Sequence, residues 1–338
     1  MARPAIFPAI TAVMVSLLVI GCAGDGLKND RMLRGFNALQ HKNVAWDDAR
    51  AQKSVKKLAA MGSNAVVFIP FLEQKSASSL EISKSAAVTD AQLRAAVRHA
   101  KKYGLKVTIK PQILIPGSWA GAIKHKDEHS WQAWFDSYSK RIIEHARFAA
   151  ELRVDSFVIG TELSQAARHV PWPRLIRQLR DILPKPIILT YAAHNIDGLK
   201  AFPYWQDLDA VALTLYPSLG DSGSKEEMKL HIDQTVEELR LAVAEINLPL
   251  WVLEIGMPSA AGASARPWEW HNLKSAKVDL SLQKNALDLW LRSLDQAWVN
   301  GVFVWAWYSD IGAGGAQDAD YTPQNKPAEK MIRRYWKS

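Results

Sequence analysis

The sequence predicts a single (β/α)8 barrel, and three observations point to it. The chain has 338 residues and is 48% apolar, enough for a sizeable core; barrels of this type run from about 200 to over 400 residues as one domain. From residue 32 to the C-terminus, apolar strand-like runs alternate with amphipathic helical segments, eight strands in all. That order produces a parallel sheet with helices outside it. Runs such as Ala65-Val66-Val67-Phe68-Ile69 and Ala210-Val211-Ala212-Leu213 are apolar at successive positions, as expected of strands covered on both faces. An open, doubly wound sheet would share the alternation, but no Gly-x-Gly-x-x-Gly turn follows the first strand.

The chain opens with what reads as an export signal. Arg3 supplies the charge, an apolar run follows from Ala5 to Ile20, and it ends Leu18-Val19-Ile20-Gly21-Cys22. A small residue followed by cysteine at the end of such a run looks like a bacterial lipobox, with cleavage before Cys22 and lipid on its thiol. Residues 1–21 are then the signal peptide, 22–31 a polar tether and 32–338 the barrel. The run is short for a spanning helix, which needs about 20 apolar residues. Cys22 is the only cysteine, so the mature fold is expected to hold neither a disulfide nor a cysteine metal site. The expected location is the cell envelope, and Ala23 suggests the outer membrane in a Gram-negative host.

The elements follow in order. Met32–Leu39 reads as the first strand and Trp46–Met61 as the first helix. Asn64–Leu72 is the second strand, and Asp90–Tyr103 the second helix, capped by Thr89 or Asp90 and stopped by Gly104. Leu105–Leu114 is the third strand and Ser130–Leu152 a long third helix. Val154–Leu163 is the fourth strand, Pro173–Ile182 the next helix, and Pro186–Ala193 the fifth strand, with a short connection around Tyr204 and Trp205. Leu208–Leu219, Leu248–Met257 and Gly301–Tyr308 complete the strands. Lys225–Ile246, Leu282–Trp298 and Pro327–Trp336 are the remaining helices.

The formal net charge is +8, which raises the question of an anionic partner. The basic residues are scattered over helices such as 50–57 and 94–102, with no basic stripe interleaved with stacking aromatics. Solvated helix faces explain them, and export argues against nucleic acid. His125 and His129 are spaced to suit a metal, but no third ligand accompanies them, so neither metal nor cofactor is expected.

Chemistry in such a barrel is placed at the C-terminal ends of the strands. The fourth strand ends Phe157-Val158-Ile159-Gly160-Thr161-Glu162, and the seventh ends Trp251-Val252-Leu253-Glu254-Ile255-Gly256. A carboxylate ending an apolar strand is costly to bury unless paired or used. Glutamates on the fourth and seventh strands face each other across the mouth, as in retaining glycosidases. There one carboxyl protonates the leaving oxygen and later activates water, while the other attacks the anomeric carbon, at a separation of about 5–5.5 Å. The attacking group should stay ionised through hydrogen bonds, and the acid should be held protonated by its neighbour's charge. The competing reading is two glutamates in unrelated salt bridges.

These glutamates resemble the catalytic pair of clan A glycoside hydrolases, and the chain is most similar to glycoside hydrolase family 113 within that clan. The resemblance rests on Arg34-Gly35-Phe36-Asn37, Lys110-Pro111-Gln112 with Trp119, Gly160-Thr161-Glu162-Leu163, Leu253-Glu254-Ile255-Gly256 and Tyr321-Thr322-Pro323-Gln324-Asn325-Lys326-Pro327. It implies that Glu162 is the acid/base, that Glu254 is the nucleophile, and that the substrate resembles the β-1,4-mannans of characterised members. It also implies that the Tyr216 hydroxyl bonds Glu254, against the alternative of a core tyrosine, and that a tryptophan of the eighth strand floors the central subsite. Two departures stand out: Thr161 replaces the Asn that bonds the sugar 2-hydroxyl, and Gln112 stands where many relatives have His.

The other strand ends supply candidate sugar contacts in Asn37, Lys110, Gln112 and Thr161. Trp305 and Trp307 lie two apart on the eighth strand and so share one face of it; Trp305 is the first choice for the floor. Of the 14 tryptophans, Trp119, Trp268 and Trp270 lie in loops and offer flat stacking surfaces for sugar rings. Trp131, Trp134, Trp290, Trp298 and Trp336 fall on helices and are expected to pack. His194 and His271 are further candidate contacts. The sequence therefore points to a lipid-anchored retaining hydrolase of a β-linked polysaccharide, with β-1,4-mannan or glucomannan first. Another β-glycan or exopolysaccharide is the second reading. A barrel that binds glycan without cleaving it is the third.

Overall fold

The structure, a computed structural model, describes residues 32–269 and 275–338. The expected signal peptide, tether and lipidated Cys22, together with Trp270 and His271, lie outside the described residues.

The chain begins with β1 (Leu33–Leu39), α1 (Ala49–Ala60), β2 (Ala65–Phe68), β3 (Phe71–Glu73), β4 (Ser83–Lys84) and α2 (Asp90–Lys102). It continues through β5 (Lys106–Ile109), β6 (Gln112–Leu114), α3 (Glu128–Glu151), β7 (Ser156–Thr161), α4 (Trp172–Ile182), β8 (Ile188–His194) and α5 (Asn195–Ala201). It ends with β9 (Ala210–Leu215), α6 (Lys225–Val243), β10 (Leu250–Ile255), α7 (Leu280–Ser293), β11 (Val299–Tyr308) and α8 (Pro327–Lys337). Strands β1, β2, β5, β7, β8, β9, β10 and β11 close, in that neighbour order, into a parallel barrel. The predicted fold is the observed one.

Two predicted strands are divided, each by a proline. The second stops at Phe68 and resumes after Pro70 as β3; the third stops at Ile109 and resumes after Pro111 as β6. Proline donates no backbone hydrogen bond, so the ladder breaks there. The resumed pieces pair with each other, and β3 also with β4, in a small separate sheet, which carries Gln112 onto an outgrowth of the barrel. The region read as a short connection contains a full helix, α5, before the turn at Trp205–Asp207. At α2 the cap is Thr89, whose hydroxyl accepts from Gln92 N while the Gln92 side chain accepts from Thr89 N, a capping box.

The core has two layers. Inside the barrel lie Leu33, Ala65, Val67, Ile69, Val158, Ala192, Ala210, Ala212, Trp251, Leu253 and Phe303, with Trp305 against them. Ala212 at the register of Trp251 and Gly35 at that of Phe303 let large and small residues interdigitate. Gly35 belongs to this fit: a Cβ there would stand 2.3 Å from the Ala65 carbonyl oxygen and 3.0 Å from the Phe303 ring. The second, larger layer lies between barrel and helices. Trp131, Trp134, Trp290 and Trp336 are buried in it, as expected of helix positions.

Candidate active site

Glu254 is 4% exposed and sits among three elements. Lys110, at the end of β5 and fully buried, forms an ion pair and hydrogen bond with its Oε1. The Tyr216 hydroxyl, just past β9, donates to its Oε2 at 2.9 Å. Asn37 on β1 donates to the Leu253 carbonyl at 2.7 Å; its own Oδ1 is buried without a partner. The Lys110 ammonium also lies 5.5 Å from the Trp305 ring centroid. Two expected site residues thus bond Glu254, and Asn37 and Trp305 touch its neighbours Leu253 and Lys110.

Glu162 has different company. Thr214 of β9 donates to its Oε1 at 2.6 Å, and Nδ1 of His194, at the end of β8, lies 3.4 Å from the same oxygen. Trp119, 43% exposed, rests its ring on His194 with centroids 4.6 Å apart. It can lie down there because residue 121 is glycine: a Cβ at Gly121 would sit 2.2 Å from the Trp119 ring. Glu162 itself has a φ of 55°, a left-handed conformation uncommon outside glycine and concentrated at functional positions.

A bulge aims Glu254, and a second ladder shift precedes Glu162. On β10, Trp251 and Leu253 face the interior whereas Val252 and Ile255 face the outer layer. Strict alternation would turn Glu254 outward. The β9–β10 ladder shifts between Val252 and Glu254, which returns the carboxylate to the inside. On β7 the ladder to β8 shifts between Val158 and Thr161. A bulge inserts one residue and re-aims the side chains beyond it, and bulges are common beside active sites.

The electrostatics differ as well. Burial pushes the Glu254 carboxyl up, the Lys110 charge pulls it back, and the charge of Glu162 pushes it further; it ends above the ordinary carboxylate value. Burial would raise Glu162 too, but the hydrogen bond and charge of His194, the Thr214 hydroxyl and Lys110 outweigh it and leave the carboxyl lowered. This reverses the order expected from sequence, because the imidazole was not foreseen as a partner. Its effect depends on its own proton: an imidazolium favours the carboxylate, whereas a neutral ring accepting at Nδ1 favours the protonated acid. Burial and the charge of Glu254 raise Tyr216 well above the usual phenol range, so it remains a donor.

Two expected sugar contacts are corrected. Trp307 is fully buried in the outer layer, 5.0 Å from Phe36 between ring centroids, and its indole N–H donates to Ser54 Oγ at 2.8 Å. Trp305 and Trp307 do not share a face: Asn37 pairs with Trp305 and the next residue, Ala38, with Trp307, so the ladder skips Ala306. Thr161 is 2% exposed, and its hydroxyl donates to the Pro111 carbonyl at 3.2 Å; its one donor is committed to the backbone. Gln112 is half-buried with Oε1 lacking a partner. Trp268 is 49% exposed. His125 packs edge-on to Trp131, centroids 4.7 Å apart, while His129 is exposed on the first turn of α3.

The residues missed from sequence are Thr214 and the carboxylate-binding role of His194. Alternation alone points to both. Ala210, Ala212 and Thr214 of β9, like Ala192 and His194 of β8, recur at every second position with the alanines inside the barrel. The tail also has an unforeseen task. Gln324 bonds both the N–H and the carbonyl of Tyr308. Lys326 bonds Ser259, the Asp320 carbonyl and Asp318. The segment after β11 is thereby tied to the loop after β10.

A closed parallel barrel with a buried and a partly buried carboxylate near its strand ends is the arrangement of a glycosidase-type barrel. The chain belongs to Glycoside Hydrolase Family 113, whose family model matches residues 35–326, and it is a glycoside hydrolase. A family 113 β-1,4-mannanase solved as a complex superposes with a TM-score of 0.79 at 24% identity, over 91% of this chain and 99% of its own. The family 113 β-mannanase of Alicyclobacillus acidocaldarius, in complex with ManMIm, gives 0.78 at 24% identity over 90% and 97%. A family 5 mannosidase from Rhizomucor miehei gives 0.65 at 13% identity over 90% and 92%. At these identities the superpositions speak for the fold. No curated protein matches the sequence significantly.

Proposed function

We propose that the protein is a retaining hydrolase of a β-linked polysaccharide, with Glu254 as nucleophile, Glu162 as acid/base, and β-1,4-mannan or glucomannan as the first substrate to test. The observation that carries this reading is the unequal support of the two carboxylates. Glu254 is paired with a buried cation and a phenol donor, which fit an anion that attacks carbon. Glu162 is bound by a hydroxyl and an imidazole, which fit a group that gains and loses a proton. In the first step the Glu162 proton passes to the glycosidic oxygen, the bond from that oxygen to the anomeric carbon breaks, and Glu254 forms the glycosyl ester. In the second, Glu162 takes a proton from water, whose oxygen displaces Glu254. Trp305 offers a floor, and Trp119 and Trp268 offer stacking surfaces. The names of the superposed β-mannanases support the choice of polymer.

The test is hydrolysis of a β-glycan panel by wild type, Glu162→Gln and Glu254→Gln, with the product anomer followed by NMR. Retention, and loss of at least about a hundredfold in either variant, is expected; equal activity in all three would falsify the assignment. Because Thr161 bonds Pro111, its position supplies no free donor for a sugar 2-hydroxyl. That observation favours a second reading, hydrolysis of another β-glycan, and the same panel separates the two. The Leu18–Cys22 motif supports anchoring of the exported protein to the cell envelope by lipid on Cys22. Cys22→Ser should then move the protein from the membrane fraction to the soluble one; an unchanged membrane fraction would refute it.

A further inference from the structure

We propose that His194 is a positioning residue that controls where the Glu162 proton resides, and that Trp119 fixes its ring for that task. The inference rests on the reading of Glu162 as acid/base. The imidazole Nδ1 and the Thr214 hydroxyl converge on one oxygen, Oε1. Rotation would break this arrangement, since a half-buried histidine at a strand end is free to turn away. Here the Trp119 ring covers it, centroids 4.6 Å apart, and lies over Gly121, where no side chain competes for the space. A glycan stacked on the exposed side of Trp119 would therefore press on the ring that meets Glu162.

Other ionisable groups share the field of Glu162. Lys110 acts on it from β5. Tyr191 of β8, Tyr216 beyond β9 and Glu254 of β10 each feel its charge. Of the two side chains that bond Glu162, Thr214 and His194, only the imidazole can also take up a proton on the atom that faces the carboxylate. One proton is then shared between Glu162 Oε1 and His194 Nδ1. With the ring neutral, Glu162 carries it and can donate to the leaving oxygen. With the ring charged, Glu162 is the anion that can accept from water. The exchange leaves the total charge of the pair unchanged, and the two groups titrate as a unit. The last proton leaves such a unit at higher pH than it leaves a lone carboxyl.

The experiment is the pH dependence of kcat/KM for wild type, His194→Gln and His194→Asn, on a polysaccharide and on aryl glycosides of graded leaving-group acidity. In both variants the alkaline limb should move to lower pH by about one unit or more. KM should stay within about twofold, and the loss at neutral pH should be confined to poor leaving groups, which alone need an acid. Two variants are used so that a folding defect in one does not decide the matter. Coincident alkaline limbs and equal leaving-group dependence in wild type and both variants, with Glu162→Gln impaired, would overturn the role of His194 alone. Full activity of Glu162→Gln would overturn the reading of the pair and this inference with it.

Discussion

Strands β8 and β9 run to the barrel mouth with unbroken alternation, whereas β7, β10 and β11 each carry a ladder shift near their C-terminal ends. The regular strands deliver His194 and Thr214, with Tyr216 just beyond. The bulged ones deliver Glu162, Glu254 and Trp305. The difference teaches how such a site is assembled. A regular strand presents every second side chain to the interior without further help, which suffices for groups that support a carboxylate. On β10 the carboxylate that enters the apolar interior is aimed by an added residue that breaks the period. The chain changes direction at the bulge and the regular strands beside it supply the partners.

The contrast can be sharpened by removing the partners one at a time. Lys110→Met should have the largest effect. It withdraws the buried cation that pulls Glu254 down, and a buried charge stripped of its partner is destabilised by about 3–5 kcal/mol. Glu254 would instead hold its proton to higher pH. On the proposed role of Glu254 as nucleophile, which must be ionised, the acid limb of kcat/KM should move upward by about two units or more, with at least about a hundredfold loss at mildly acid pH. An unmoved limb would show that Lys110 does not keep Glu254 ionised. Tyr216→Phe removes one hydrogen bond to a charged group, about 1.5–3 kcal/mol, and should lower kcat/KM about 10- to 100-fold with a smaller rise of the same limb. Thr214→Val should cost least, about tenfold or less in kcat/KM by the lower end of that range. Its loss should appear with poor leaving groups, because the partner is Glu162; a loss as large with activated aryl glycosides would place Thr214 on the nucleophile's side and break the comparison.

Much of this molecule is legible in the sequence. Alternating apolar runs and amphipathic helices predict the barrel because burial on one face or two leaves a periodic record in composition. Prolines 70 and 111 mark where two strands leave the barrel, yet the outgrowth they make depends on which pieces pair, and that is decided in space. Glu162 and Glu254 are visible because a carboxylate among apolar residues is conspicuous. Asn37, Lys110 and Tyr216 are visible as polar residues at strand ends, although the meeting of Lys110 and Tyr216 on one carboxylate is not. Trp307 shows the limit most directly. Two residues from Trp305 on one strand, it would share its face by periodicity alone, but Ala306 is skipped in the ladder and the ring goes to the outer layer.

By itself, then, the sequence determined the fold, the family and the two glutamates, because each rests on local pattern: hydrophobic period, motif order and charge out of place. Only the tertiary structure decided what surrounds them. The pairing of Lys110 with Glu254, of Thr214 and His194 with Glu162, and of Thr161 with Pro111 joins residues 32 to 144 positions apart. Ladder shifts of one residue, which leave no mark in composition, settle which face each side chain occupies. The two glutamates are therefore predictable as a pair, while the order of their proton affinities belongs to the folded chain. There burial lifts both carboxyls, and the partners brought by other strands decide how far each is drawn back.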